Sequence, residues 1–298
     1  MCSNDVSAVR NGVGAGLAVA SSVVEIERDL AELRDASGAP GQGPVQRTSV
    51  MTHLAWVPPD WAEAAERTLA GLAEQHPSRT ILLFPRPEDD DALDLDASVQ
   101  CFAFGERAVC AEVIRVQLCG ARAHHPASVV VPMLIADLPV FCRWRGMPAF
   151  DDVFDELVDV VDRLIVDSTE WPSDTLSHGY GELAQRFDRT AVSDIAWERT
   201  ERWRRELAAA WPFEAREISV RATHAQALLL AGWLRSRLGH DVALEHEPAD
   251  VLTSVYIDGD AIDAPPGEPP PPSTLLSDQL ERFTRDPIYE AAVRAASE

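Results

Sequence analysis

Asp167 and Ser168 close a short apolar run, RLIVDS at 163–168. In open α/β sheets the carboxyl end of a parallel strand is where ligands bind, so this pair is the first candidate for chemistry. Serine catalysis would need a base, and His178 is the nearest histidine downstream. The run lacks the G-x-S-x-G turn that exposes a nucleophile, and Asp-Ser at a strand end commonly caps the next element. A sugar-phosphate site, in a binding domain or an enzyme, is the competing reading of the same strand end. Arg79, Arg143 and Arg145 would clamp the phosphate through their planar guanidinium forks.

A second pattern is aromatic and cationic. Six of the eight tryptophans (144, 171, 197, 203, 211 and 233) fall between residues 144 and 233. Arg143 and Arg145 flank Trp144, and Arg204-Arg205 follows Trp203. Trp and Arg dominate protein–protein hot spots. They also fill cores, and the sequence leaves open which of these tryptophans do so.

Metal-ligating patterns are weak. Cys101, Cys110 and Cys119 are nine residues apart and His124 adjoins His125, and neither spacing suits a zinc site. Asp89 to Asp91 with Asp94 and Asp96 lack the glycine and terminal glutamate of a calcium loop and read as a solvated loop. GVGAG at 12–16 lacks the strand and full spacing of a dinucleotide loop. No metal and no cofactor is expected. The five cysteines form no C-x-x-C pair, which predicts buried or free thiols in a reducing cytoplasm.

Composition excludes whole classes. All 26 basic residues are arginine, against 49 carboxylates, for a formal charge of -23 over 298 residues. Without lysine there is no Walker A loop, no Schiff base and no kinase strand lysine. The acidic balance argues against nucleic acid and anionic membrane as partners. Residues 241–298 hold 13 carboxylates against 3 arginines, a charge that would steer a cationic partner.

The elements that must position these residues alternate strand and helix. Apolar strands are predicted at 47–57, 79–85, 140–146 and 163–168. A hairpin is predicted at 98–104 and 108–120, and amphipathic or buried helices at 61–75, 124–139, 150–162, 193–212 and 224–240. Gly239 is the expected helix C-cap. This predicts an α/β fold of open mixed sheets with flanking helices. The expected divisions are a mobile N-terminal segment at 1–45, an N-terminal α/β domain at 46–170, a C-terminal α/β domain at 171–263, and a Pro-rich linker with a terminal helix at 264–298.

Five segments occur in one order: HPSRTILLFPR (76–86), VVVPMLIADLPVFCRWRG (129–146), DRLIVDSTEWP (162–172), DIAWERTERWRRELAAAWP (194–212) and ALLLAGWLRSRLG (227–239). Together with the C-terminal LLSDQLERFTRDPIYEAAVRA, they resemble the glucose-6-phosphate dehydrogenase assembly protein (OpcA) family of actinobacteria and cyanobacteria. The resemblance implies a cytoplasmic, non-enzymatic accessory protein. Such a protein binds glucose-6-phosphate dehydrogenase and promotes its assembly or allosteric activation in the oxidative pentose phosphate pathway. No catalytic residue comes with it. The matching segments, with the Trp–Arg pattern, give Arg143, Trp144, Arg145, Asp167, Ser168, Trp171, Trp197 and Trp203 as partner-interface candidates.

Overall fold

A computed structural model describes residues 16–37, 49–72, 78–104, 107–212 and 214–298. The fold is mixed α/β with open sheets and flanking helices, as the alternation predicts. The chain divides into two compact units, one of residues 1–145 with 151–162 and the other of 146–150 with 163–298.

The first unit contains β1 (Gly16–Ala20), α1 (Val23–Ser37), β2 (Thr52–Trp56), α2 (Ala62–Leu72), β3 (Arg79–Arg86), β4 (Ala92–Phe104), β5 (Arg107–Cys119), α3 (Pro126–Val130), β6 (Val140–Trp144) and α4 (Asp152–Val158). Its strands lie in the order β1-β4-β5-β3-β2-β6. β5, β3, β2 and β6 run parallel, while β4 is antiparallel to both its neighbours. β2 and β6 are buried along their whole length. A parallel strand covered on both faces needs no polar alternation, so LAW of β2 and VFC of β6 are continuous apolar stretches, with Thr52, His53 and Arg143 buried beside them.

Three expectations change here. Gly16–Ala20, assigned to a mobile segment, is a strand paired with β4. The acidic stretch 88–96 is a loop only as far as Asp91; from Ala92 it is β4, with Leu95, Ala97 and Val99 buried on one face. The period of two was present in ALDLDASV but was masked by its charges. The helix expected over 124–139 is instead the short α3 and one 3-10 turn at Val131–Met133. Pro132 has no N–H to continue the ladder.

The second unit contains β7 (Arg163–Val166), α5 (Leu176–Ala184), β8 (Ala191–Asp194), α6 (Ile195–Arg199), α7 (Glu201–Ala209), β9 (Glu217–Ala222), α8 (His224–Leu238), β10 (Ala243–Pro248), β11 (Ser254–Ile257), β12 (Asp260–Ala261), α9 (Pro272–Leu280) and α10 (Pro287–Ala296). β7 and β8 pair in parallel. A separate sheet has the order β10-β9-β11-β12. Its inner face, with Ile218, Val220, Val255 and Ile257, packs on Leu230 and Leu234 of α8 and Leu207 of α7. α8 starts at a Thr223–Gln226 capping box and stops at Gly239, whose φ of 71° is left-handed. The segment after 263 is not only a linker and a terminal helix: α9 and α10 bury Leu275, Leu276, Leu280, Tyr289 and Val293.

Candidate functional site

The carboxyl ends of β7 and β8 lie side by side, with Val166 in register with Asp194. This brings Asp167 and Ser168 to Asp194, Tyr180 and Arg199. Asp194 caps α6: its Oδ1 accepts the N–H of Ala196 at 2.8 Å and of Ser168 at 3.0 Å. The Tyr180 hydroxyl donates to Ser168 Oγ at 2.8 Å. Arg199 grips Asp167 with two bonds, of 2.9 and 3.0 Å, and also reaches Thr169 Oγ1. Asp167, Ser168, Tyr180 and Asp194 are all buried.

This arrangement turns an anion away. The backbone N–H groups of Ser168 and Ala196 already bind the Asp194 carboxyl, and the Arg199 guanidinium is matched by Asp167. In the first unit the proposed clamp is also committed. Arg79 is held by Glu112, Glu27 and the Met133 carbonyl. Arg143 is buried and donates to the Trp144 carbonyl, and Arg145 donates to Thr68 Oγ1. The geometry therefore disfavours the sugar-phosphate reading. Asp194, Tyr180 and Arg199 were not singled out by sequence as partners of Asp167 and Ser168. The only local signal was that VSD at 192–194 repeats the strand-then-cap form of VDS at 166–168.

Burial and the neighbouring Asp167 push the Asp194 carboxyl up to about 7 from its ordinary 3.8. Its Oδ2 has no hydrogen-bond partner among the described residues, which favours the protonated form. Between these two values the folded chain keeps a proton that the unfolded chain gives up. Stability contributed here therefore falls as pH rises from 4 to 7, by on the order of 4 kcal/mol in all. Asp194→Asn keeps the Oδ1 acceptor and removes the charge. It is expected to flatten the fall in urea stability between about pH 5 and about pH 8, and to be more stable than the parent at the upper end. Equal pH slopes in the two proteins would show that Asp194 does not titrate in this range.

Seven of the eight interface candidates are buried, and Arg145 is partly exposed. Trp144 stacks on Trp56 at 4.9 Å, because β2 and β6 pair those residues in register, and Phe154 meets its edge. Arg145 lies 6.0 Å from the Trp61 ring. In the second unit Trp171 donates to the Gly146 carbonyl and fills the space beside Gly179. Trp197 donates to Asp286, touches Tyr289 and is covered by Arg204 at 3.4 Å. Burial pulls the Arg204 guanidinium down to about 10. Trp203 belongs to the core under the second sheet. The Trp–Arg signal is thus mainly a packing signal: an indole buries a large area, and an adjacent arginine covers it or satisfies a carbonyl.

Among the described side chains, one cysteine departs from the expectation of buried or free thiols. Cys119 is disulfide-bonded rather than free. Cys142 is a free, buried thiol, and burial pushes it up to about 12, which makes it inert. The side chains of Cys2, Cys101 and Cys110, and most of the 12–16 glycine run, lie outside the described residues. Among the described residues no three His, Cys, Asp or Glu groups converge on a metal-sized site, and no helix is long and apolar enough to cross a membrane.

Fold and clusters together define a two-unit α/β protein whose strand-end charges are matched internally rather than offered to a small anion. Family models agree on its kind. "Glucose-6-phosphate dehydrogenase subunit N-terminal domain" matches residues 70–185, and the corresponding C-terminal domain matches 190–264. The chain belongs to the glucose-6-phosphate dehydrogenase assembly protein, or OpcA, family. A protein of Synechocystis sp. is 29% identical over 185 residues, 56% of this chain and 38% of its own length. One of Nostoc punctiforme is 28% identical over 185 residues, with 56% and 39% covered. Both carry names that assign them, provisionally, to the OxPP cycle as OpcA. The chain spans about two fifths of the length of these curated relatives.

Proposed function

We propose that this chain binds glucose-6-phosphate dehydrogenase and promotes its active assembly or conformation, without catalysing a reaction of its own. The observation that carries the reading is the match of two successive segments to two domains of one family named for that enzyme. The strand-end geometry supports it, since its hydrogen-bonding groups are used within the fold. An effector shifts an enzyme only by binding one state more tightly than another. A tenfold preference corresponds to about 1.4 kcal/mol. Of the eight candidates, Arg145 is the one that is partly exposed and would touch a partner directly; the buried seven would act by shaping the surface above them. Adding the chain to the cognate dehydrogenase is expected to give a complex in sedimentation and a changed kcat/KM or oligomer distribution. If neither appears, the reading is wrong.

A further inference from the structure

Among the described residues, helices α7 and α8 cover one face of the sheet β10-β9-β11-β12, and the side chains of the other face are exposed or half-exposed. Along β9, Ile218, Val220 and Ala222 are buried while Arg221 is exposed and Glu217 and Ser219 are half-exposed. Cross-strand register places Glu245, Ser219, Tyr256 and Ala261 in one row across all four strands. A neighbouring row runs Glu247, Arg221, Ser254. With strands about 4.8 Å apart, the first row crosses roughly 14 Å.

This face has the make-up of a docking surface. Small side chains keep it flat around Tyr256, which is 41% exposed. Glu245 and Glu247 project from the edge strand, and the face ends at a depression of about 420 Å³ lined by Glu214, Arg216, Glu217 and Asp258. Five carboxylates meet two arginines there. Arg221 lies against Glu247 at 3.3 Å, and Arg216 is 4.0 Å from Glu214. An aromatic anchor within a net negative, flat sheet suits a cation: guanidinium stacks on the phenol face while carboxylates take its N–H groups.

We propose that this face, centred on Tyr256, is the docking surface for an arginine- or lysine-bearing segment of the partner enzyme. The inference rests on the reading that the partner is glucose-6-phosphate dehydrogenase, and charge complementarity chooses the occupant. The edge position of β10 adds access from the side.

The test measures binding of the 298-residue chain to the dehydrogenase at low and high salt. The variants are Glu245→Arg with Glu247→Arg, and Tyr256→Ala. Glu88→Arg with Asp90→Arg, in an exposed loop of the first unit, makes the same change in net charge elsewhere. Thermal melting confirms that each variant is folded. The double reversal on β10 is expected to weaken binding by about tenfold or more at low salt and to reduce the salt dependence. Tyr256→Ala should weaken it at both salt levels, and the first-unit control should change it little. Unchanged binding by the β10 and Tyr256 variants, or an equal loss in the control, overturns this surface and leaves the proposed function standing. Failure of the parent chain itself to bind the dehydrogenase overturns the proposed function, and this assignment with it.

Discussion

Replacing Arg79 with methionine is expected to lower the stability of the first unit by about 3–5 kcal/mol. Arg79 is 2% exposed and its Nε lies 2.7 Å from Glu112, itself 1% exposed. Its other nitrogens hold Glu27 of α1 and the Met133 carbonyl. Burial works against the guanidinium charge, but Glu112 and Glu27 outweigh it and hold the pKa above its ordinary value. Removing the cation takes from the buried Glu112 carboxylate the guanidinium that lies 2.7 Å from it. The double change Arg79→Met, Glu112→Leu removes both charges and should recover most of the loss. Urea unfolding followed by the fluorescence of the stacked Trp56–Trp144 pair would measure both. A single-variant loss under about 1 kcal/mol would mean that the pair is effectively solvated.

Gly232→Ala is expected to undock α10. Gly232 sits where α8 crosses α10, and a Cβ there would lie 2.3 Å from the Ala292 carbonyl oxygen and 2.9 Å from the Ala296 Cβ. Both obstacles are rigid, so a helix must move rather than a side chain turn. Alanine improves α8 itself by about 1 kcal/mol. Overpacking costs about 1–3 kcal/mol in an ordinary core and more against backbone, so the net effect is destabilising. The separation also exposes Tyr289, Ala292 and Val293, which the contact buries. Hydrogen exchange should show α10 amides losing protection before those of β9. Protection in α10 equal to that of the parent would show that the helices accommodate the methyl group.

Much of the fold could be read locally. Apolar strands such as RTILLFP and the Gly239 stop declare themselves within a few residues, because period and left-handed φ are properties of neighbours in sequence. The order of five segments carried the family. What misled was charge: ALDLDASV reads as a loop until β1 and β5 are seen on either side of it, and the C-terminal segment reads as linker and terminal helix until α10 is seen against α8. The strand-end cluster was half legible, since Asp167 and Ser168 stood out but Arg199, 32 residues from Asp167, did not.

By itself, the sequence determined the class of fold, the exclusion of lysine chemistry, the acidic balance and the family resemblance. All follow from composition or from short-range pattern. Only the tertiary structure decided where each tryptophan and arginine points. An arginine beside a tryptophan is identical in sequence whether it lies on a surface or, like Arg143, inside. Its fate depends on strands brought together from distant positions, and burial and charge pairing are set by those non-local neighbours. Register also decided which carboxylates share the open face around Tyr256 and which, like Glu112, are sealed within the core.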